Sequence, residues 1–531
     1  MEKRTNTGNG SNRASRTAPP RERTPLRDHL ESLAVAVLLV LIVRQVVVEA
    51  FLIRGGSMAP TLISEHREMR CPNCGAPFIV GVRETSREWE CPNCHFDWTD
   101  TPPDPGLAVR LAAPNETDRG AARVFVNKFI YRLRSPKRWE VAVFQVKPVR
   151  CAKCRRSAEM TSDHPPVCPD CGGTVFDAVV SCRQCRWSGP MPKDGVCPEC
   201  GARNLQHEQG RNFIKRVVGL PGEAIQLTDG DAYADGHLLR KSQAVQDQIW
   251  IGVYDSQYVP KRPLQPIWRI DDEAASRCDV KTDGGPLTVT ALDSAGPVLV
   301  AYAPEVRDFY AYARAAGRGA SGANVVGDCR IEARVRPTKA RDGGAAVLEV
   351  ADSGHVFRLS VPVGAAGRAL LEKDGEPVTT MPGGLEPQAS SWIALENYDD
   401  RLVARLNGRI LATHEYAPAG AQSAWRRGVR FGARNADVGF ERVRISRDIY
   451  YVNSDENLDL SEGPYHLADD EYLVLGDDSP LSRDSRSQLW LRPGVSESHM
   501  VGRAFFVFWP VQCMEWLSGG VARAAEGPAG E

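Results

Sequence analysis

The sequence has almost no net charge and few long apolar runs. Its 66 Lys and Arg residues balance 67 Asp and Glu residues, which leaves a formal net charge of -1. That balance excludes a whole-chain electrostatic basis for binding nucleic acid. A content of 42% hydrophobic and 25% charged residues excludes wholesale disorder. The length of 531 residues is too great for a single core and predicts roughly three or four domains.

The longest run without a polar side chain extends only from Leu33 to Val43. A helix over 25–45 nevertheless spans about 20 residues, enough for a bilayer core when Arg27 and Arg44 lie at its ends. The preceding residues 1–24 are polar and predict a disordered tail. Because this tail is rich in Lys and Arg, the positive-inside bias places it in the cytoplasm. We therefore expect a single-pass protein of the cytoplasmic (inner) membrane whose remaining domains are extracytoplasmic.

A cleaved secretory peptide and a buried core helix are the alternatives for the apolar run. No stretch resembling Ala-x-Ala follows it, and the next residues, Val46 to Ile53, are β-branched and aromatic. They predict a strand, which favours a retained anchor.

A candidate nucleophile follows this strand. The pair Gly55-Gly56 permits a tight turn that presents the hydroxyl of Ser57. Taken alone, such a turn is more often a loop without chemistry. A reactive serine also requires a base.

A candidate base lies in the β-rich segment 211–219. Strand alternation places Phe213, Lys215 and Val217 on one face. Burial on an apolar face would lower the pKa of Lys215 from about 10.4, so that its amine could take a proton from serine. A lysine that reaches the solvent along the surface is the alternative.

These segments belong to a larger pattern that resembles type I signal peptidases, the membrane-anchored Ser/Lys endopeptidases. Six blocks occur in the family's order, and the specificity of the match comes from their combination. They are the basic tail with a single span, Gly55-Gly56-Ser57-Met58-Ala59-Pro60-Thr61-Leu62, residues 126–131 with 138–144, residues 213–223, residues 475–486 and residues 501–510.

The resemblance implies removal of signal peptides from exported preproteins after Ala-x-Ala. Ser57 would be the nucleophile and Lys215 the general base, and Ser482 would orient the lysine by a hydrogen bond. The supporting residues would be Asp477, Asp484 and Arg486. A preference for small residues predicts a small pocket lined by Met58, Leu62, Phe213 and Val474.

Two positions depart from the family pattern. Some members carry a hydroxyl two residues before the nucleophile as a second oxyanion donor, where this chain has Gly55. The first donor would be the backbone N–H of Ser57, and the second would be backbone, water or absent. The residues after Gly476-Asp477 also differ from the commoner Asn-Arg, which leaves Ser482 in register.

The expected partners are preprotein signal peptides, the lipid bilayer and the export machinery, with no nucleic acid and no cofactor for catalysis. One alternative is a non-catalytic envelope binding or scaffold protein. A second is a self-cleaving Ser/Lys repressor relative, which the missing DNA-binding helices disfavour.

Twelve of the 15 cysteines occur in six Cys-x-x-Cys pairs. Their spacing predicts three zinc ribbons and about three structural zinc ions. Disulfides are the alternative outside the cytoplasm. The quartets are Cys71, Cys74, Cys91 and Cys94; Cys151, Cys154, Cys168 and Cys171; and Cys182, Cys185, Cys197 and Cys200.

Many short strands predict an inserted β-sandwich over 262–447, which resembles concanavalin-like or laminin-G-like jelly rolls, with no ligand assigned. The expected fold is mainly β: a signal-peptidase-like domain with one transmembrane helix, three ribbons and this sandwich. The peptidase domain is expected to be discontinuous, over 46–64, 121–150, 208–261 and 448–512. The three ribbons are expected at 65–100, 151–173 and 180–204. A linker is expected at 101–120 and a C-terminal tail at 513–531.

Overall fold

The computed structural model describes residues 29–38, 47–81, 90–96, 117–270, 287–292, 296–312, 322–418, 427–453, 460–511 and 514–517. The chain divides into two units, residues 1–49 and 50–531. In the first unit, residues 29–38 form helix α1 with exposed side chains. Within the described ranges, no helix combines the length and apolarity needed to cross a membrane. The predicted tail 1–24 and the rest of the predicted span 25–45 lie outside those ranges.

Strands dominate the described residues, as the predicted mainly β class requires. The other helices are α2 (Ile130–Leu133) and α3 (Gln243–Ile249). The strands of the first half are β1 (Val48–Leu52), β2 (His66–Arg70), β3 (Pro77–Gly81), β4 (Thr117–Arg119), β5 (Arg123–Asn127), β6 (Val141–Cys151), β7 (Ser157–Met160), β8 (Phe176–Cys182), β9 (Ser188–Pro190), β10 (Leu205–His207), β11 (Arg211–Gly219), β12 (Ala224–Thr228), β13 (Asp231–Ala234), β14 (His237–Leu238) and β15 (Ile251–Asp255).

The second half continues this pattern without a further α-helix among the described residues. Its strands are β16 (Trp268–Ile270), β17 (Leu287–Thr290), β18 (Val298–Tyr302), β19 (Cys329–Asp352), β20 (His355–Pro362), β21 (Arg368–Lys373), β22 (Glu376–Pro382), β23 (Ser391–Tyr398), β24 (Arg401–Leu406), β25 (Arg409–Glu415), β26 (Gly428–Arg447), β27 (Tyr465–His466), β28 (Glu471–Leu475), β29 (Val495–Ser496), β30 (Met500–Trp509) and β31 (Glu515–Trp516).

The sheet that carries the candidate site has the order β1-β5-β30-β6-β11-β28-β29. Its strands come from all four segments predicted for the discontinuous domain. Side chains on β6 alternate between two apolar clusters: Val141 and Val143 join one, and Ala142 and Phe144 join the other. Because successive residues of a strand point to opposite faces, the sheet has a core on each face.

Strand β6 leads directly into the second cysteine quartet, because its last residue is Cys151. Strands β7 and β8 both pair with β6, and β8 also pairs with β9 and β10. The second and third quartets are therefore attached to the sheet of the candidate site. The first quartet adjoins a separate three-stranded sheet of order β3-β2-β4.

A second large sheet occupies the insertion, and its two longest strands are β19 and β26. Residues 330–335 of β19 pair with β23, whereas residues 345–352 pair with β20. Apolar side chains from both halves, including Ile331 and Leu348, belong to one core. The predicted Asn407-Gly408 hairpin forms between β24 and β25. The two-layer arrangement of a jelly roll stays a prediction.

Candidate active site

Ser57 lies in a short 3-10 turn, Gly56–Met58, that follows β1. The turn is closed by a hydrogen bond of 2.9 Å from the N–H of Ala59 to the carbonyl of Gly56. Ser57 is only half-buried, whereas Met58 is fully buried. The turn therefore holds the hydroxyl near the surface while the next side chain anchors it in the core.

Lys215 reaches this hydroxyl from β11. Its amine donates a hydrogen bond to Oγ of Ser57, and its side chain is only 3% exposed. Burial lowers the pKa of Lys215 to about 8, although the carboxylates of Asp484 and Asp477 oppose the shift. Phe213 shares the face of Lys215, as the predicted alternation requires, with the amine 5.9 Å from its ring centroid. Proton transfer from serine to lysine needs a hydrogen bond between the two groups and a lysine pKa low enough for a neutral amine, and this pair has both.

Asp477 forms a buried ion pair with Arg216, the residue after the candidate base. The guanidinium donates to both carboxylate oxygens at 2.8 and 2.6 Å, and both residues are 1% exposed. The hydroxyl of Thr61 donates to the same carboxylate at 2.5 Å. These contacts connect the nucleophile segment to β11 and to the loop after β28. Asp477 is predicted from the sequence, whereas Arg216 and Thr61 are not, although Thr61 lies only four positions after Ser57.

Asp484 and Arg486, which the sequence predicts as supporting residues, form a second buried ion pair. The guanidinium donates to the carboxylate at 2.9 and 2.6 Å, and neither side chain is exposed. Burial alone would raise the pKa of Asp484, but the charge and hydrogen bonds of Arg486 outweigh it and hold the pKa below its usual value. The same carboxylate accepts the N–H of Gly476 at 3.0 Å. The pair therefore fixes the loop that passes beside the Ser57 turn.

Gly476 lies where this loop approaches the nucleophile most closely. A Cβ atom at this position would lie 2.1 Å from Oγ of Ser482 and 2.4 Å from the carbonyl oxygen of Ser57. The N–H of Asp478 donates to that same carbonyl at 3.1 Å. Only glycine fits here, because any side chain would displace the Ser57 backbone or the Ser482 hydroxyl.

Ser482 does not make the hydrogen bond to Lys215 that the sequence predicts. Its hydroxyl is buried beside Asp484 and forms no hydrogen bond of regular geometry within the described part of the chain. The structure thus brings Ser482 to the site, at the position where Gly476 passes, without the predicted orienting contact. Its role stays a prediction.

The four residues predicted to line a substrate pocket belong to two apolar clusters. Met58 and Leu62 are fully buried in the apolar cluster on one face of the sheet. Phe213 and Val474 belong to the cluster on the other face. The substrate pocket stays a prediction.

Strand β7, which lies within the second cysteine lobe (residues 151–171), holds the loop over 483–496, which contains Asp484 and Arg486 and ends in β29. The backbone of Glu159 exchanges two hydrogen bonds with this loop, at 2.8 Å to Leu489 and 3.0 Å from Leu491. The Glu159 carboxylate also accepts the indole N–H of Trp490 at 3.0 Å. Strand β7, which follows Cys151, therefore contacts the loop that carries Asp484 and Arg486.

Each predicted cysteine quartet forms a compact cluster of sulfurs, all within 4.8 Å of one another. Tetrahedral zinc with Zn–S bonds of about 2.3 Å places its sulfurs about 3.8 Å apart, whereas a disulfide requires about 2.0 Å. The donor set therefore fits zinc and does not form disulfides. The sulfur–sulfur distances are 3.6 Å for Cys71–Cys94, 3.7 Å for Cys74–Cys91, 3.6 Å for Cys151–Cys171, 3.5 Å for Cys154–Cys168, 3.6 Å for Cys182–Cys200 and 3.5 Å for Cys185–Cys197.

Two asparagines donate hydrogen bonds to sulfurs of the first quartet. The amide of Asn73 donates to Sγ of Cys94 at 3.6 Å, and the amide of Asn93 donates to Sγ of Cys74 at 3.8 Å. Each Cys-Pro-Asn-Cys segment thus places its asparagine on a sulfur of the other segment. Such contacts favour the thiolates that a metal requires.

Solved structures resemble the chain only distantly. An apo Crh5 transglycosylase is 11% identical, covers 37% of this chain and 85% of its own, and has a TM-score of 0.26. A carbohydrate-binding module from Bacillus subtilis is 11% identical, covers 29% and 82%, and has a TM-score of 0.20. We draw no conclusion about fold or function from likenesses at this level.

Sequence comparison gives the stronger result. The family described as "Signal peptidase, peptidase S26" matches residues 112–261, a range that includes Lys215 but not Ser57 or Ser482. A probable signal peptidase I-2 from Synechocystis sp. is 38% identical over 93 residues, which are 16% of this chain and 41% of that protein. The chain therefore matches less than half the length of this relative. Together the two matches support a relationship to the signal peptidase family.

Proposed function

We propose that this chain is a signal peptidase I, a membrane-bound serine endopeptidase that removes N-terminal signal peptides from exported preproteins. Cleavage would follow the small residues of an Ala-x-Ala sequence. The observation that carries the proposal is the hydrogen bond from the buried amine of Lys215 to the hydroxyl of Ser57. The match of residues 112–261 to the S26 family supports the same reaction class.

In this proposal the neutral amine of Lys215 takes the proton of Ser57 as Oγ bonds to the scissile carbonyl carbon. The resulting ammonium then protonates the leaving amine when the carbon–nitrogen bond breaks. An acyl group remains on Ser57, and water hydrolyses it with Lys215 again as the base. Because burial lowers the pKa of Lys215 to about 8, the neutral form is accessible near physiological pH.

The two buried ion pairs would preorganise this reaction. Asp477 with Arg216 and Asp484 with Arg486 hold the loop that contacts the Ser57 carbonyl. The backbone N–H of Ser57 is the oxyanion donor in this account, an interaction worth roughly 3 kcal/mol in other hydrolases. Gly55 supplies no side-chain donor, so a second donor would be backbone or water.

The same proposal includes a membrane anchor over 25–45, with the N-terminus in the cytoplasm and the site outside. Its partners would be the lipid bilayer, preprotein signal peptides and the export machinery. The three quartets would each hold one structural zinc and take no part in the chemistry, because four cysteine ligands leave no open coordination position.

The test is cleavage of a preprotein with an Ala-x-Ala site by the purified full-length chain in detergent, with the new N-terminus identified by mass spectrometry. Ser57→Ala and Lys215→Met should abolish cleavage. Ser390→Ala, which changes an exposed serine of the insertion, should cleave like the wild type. An inactive wild-type protein would favour the non-catalytic envelope binding protein, and an active Ser57→Ala variant would exclude Ser57 as the nucleophile.

A further inference from the structure

An aromatic side chain of the insertion lies against the turn that presents Ser57. A Cβ atom at Gly56 would lie 2.3 Å from Cε1 of Tyr312 and 3.3 Å from Cδ1 and Cζ of the same ring. The ring therefore rests on the backbone of the residue immediately before Ser57. Position 56 accepts glycine because the space that a side chain would need is taken by this ring.

The Tyr312 ring is fixed at its far end as well. Its hydroxyl shares a hydrogen bond of 2.6 Å with Oγ of Ser64, and both residues are buried. Tyr310 stacks on Tyr312 with ring centroids 6.0 Å apart and an interplanar angle of 23°. Because Tyr312 is only 2% exposed, its ring does not form part of a substrate-contacting surface.

The segment that carries Tyr312 is held by the rest of the insertion. The guanidinium of Arg447 donates to the carbonyls of Asp308 and Phe309, each at 3.0 Å. Ala311 packs into the apolar cluster around the first cysteine quartet. A ring anchored in this way resists displacement, so the turn against it is constrained too.

We infer that Tyr312 is a positioning residue for the candidate nucleophile, acting through Gly56 to fix the turn that presents Ser57. This inference rests on the proposed function, and it deepens that function by giving the insertion a part in the active site. A hydroxyl displaced by about 1 Å can lower the rate of attack by about 100-fold. The ring would therefore act on the rate of the chemical step and leave substrate binding largely unchanged.

The experiment compares wild type, Tyr312→Leu, Gly56→Ala and the double variant in the full-length chain, with Tyr416→Leu as control. Tyr416 is a buried tyrosine of the same insertion that packs in its core cluster. We expect Tyr312→Leu to lower kcat at least tenfold with KM within about twofold, and Gly56→Ala to lower kcat by about 100-fold. The double variant should be faster than Gly56→Ala alone, because leucine vacates the space that the new methyl group needs. Tyr416→Leu should keep the wild-type kcat.

Three results would overturn the inference: an unchanged kcat in Tyr312→Leu, a rise in KM instead of a fall in kcat, or no relief in the double variant. Thermal unfolding of the wild type, the two single variants Tyr312→Leu and Gly56→Ala, and the double variant measures the contact without any substrate. The two substitutions should be non-additive in Tm, since they alter one contact. An inactive wild type with non-additive Tm values would contradict the proposed function and leave the contact standing, whereas additive Tm values would contradict the contact itself.

Discussion

The amine of Lys215 donates a hydrogen bond to the hydroxyl of Ser57 across 158 positions of sequence. The lysine is almost wholly buried, yet no carboxylate forms an ion pair with its amine among the described residues. Asp477 and Asp484 are instead committed to Arg216 and Arg486. The two nearby carboxylates are thus paired with arginines. Burial is then the main influence on the lysine, and it favours the neutral amine.

Replacing this lysine by methionine should separate activity from stability. The shift in pKa from 10.5 to about 8 corresponds to roughly 3 kcal/mol against the charged form in the folded state. Lys215→Met removes this penalty and loses a hydrogen bond worth about 1 kcal/mol, so the variant should be inactive but more stable by about 1–2 kcal/mol at pH 7. Urea unfolding followed by circular dichroism measures the difference.

The pH dependence of stability tests the same prediction in a second way. Between pH of about 8 and 10.5 the unfolded chain binds more protons at Lys215 than the folded chain, so wild-type stability should rise with pH in this window. The methionine variant lacks this component. A variant less stable than wild type at pH 7, with the same pH dependence, would contradict a buried, destabilised lysine.

Loss of metal from the second quartet should lower cleavage more than loss of metal from the third quartet. Cys154→Ser removes a ligand from the proposed zinc site next to β7, the strand that holds loop 483–496, whereas Cys185→Ser removes a ligand from the proposed site in the third quartet. Because zinc supplies the folding energy of such small lobes, the first change should release the loop and lower cleavage at least tenfold. The second change should lower it less.

Elemental analysis should find about three zinc ions in the wild type and about two in each of these variants. Limited proteolysis provides the structural readout, with new cuts in 483–496 expected for Cys154→Ser alone. Equal protection of this loop in both variants would show that the second lobe does not support the site. A wild type without zinc would exclude the zinc assignment.

Gly476 offers a test of the close approach beside Ser57. Gly476→Ala places a methyl group against Oγ of Ser482 and the Ser57 carbonyl, so cleavage should fall by about 100-fold. Gly439→Ala is the matched control, because its Cβ atom would meet only a carbonyl at an ordinary 3.5 Å. Steady-state kinetics of both variants measure the effect, and equal activities would place the loop farther from the nucleophile than the structure does.

The sequence predicts the two central residues of the candidate site, Ser57 and Lys215. Strand alternation put Lys215 on an apolar face with Phe213, and family-like blocks paired it with Ser57. Both predictions depend on local sequence pattern. The alternation of side chains along a strand is kept in the folded protein because the period of a strand is fixed. The mainly β class followed in the same way from many short strands.

What the sequence did not reveal depends on contacts between distant segments. Arg216 has no predicted role, because its partner Asp477 lies 261 positions away in the sequence. Tyr312 belongs to the insertion, and the sequence analysis assigns it no role because its contact with Gly56 joins segments more than 250 positions apart. Met58 and Val474 belong to two different apolar clusters, and the substrate pocket stays a prediction.

The pH dependence of preprotein cleavage tests the central claim most directly, because it titrates the amine that must accept the serine proton. The account predicts that kcat/KM rises with pH through a single acid limb with a midpoint at about 8, where burial places the pKa of Lys215. About one tenth of the lysine would be neutral at pH 7 and about nine tenths at pH 9. A limb near the ordinary lysine value of about 10.4, or activity independent of pH across this range, would contradict a buried lysine base.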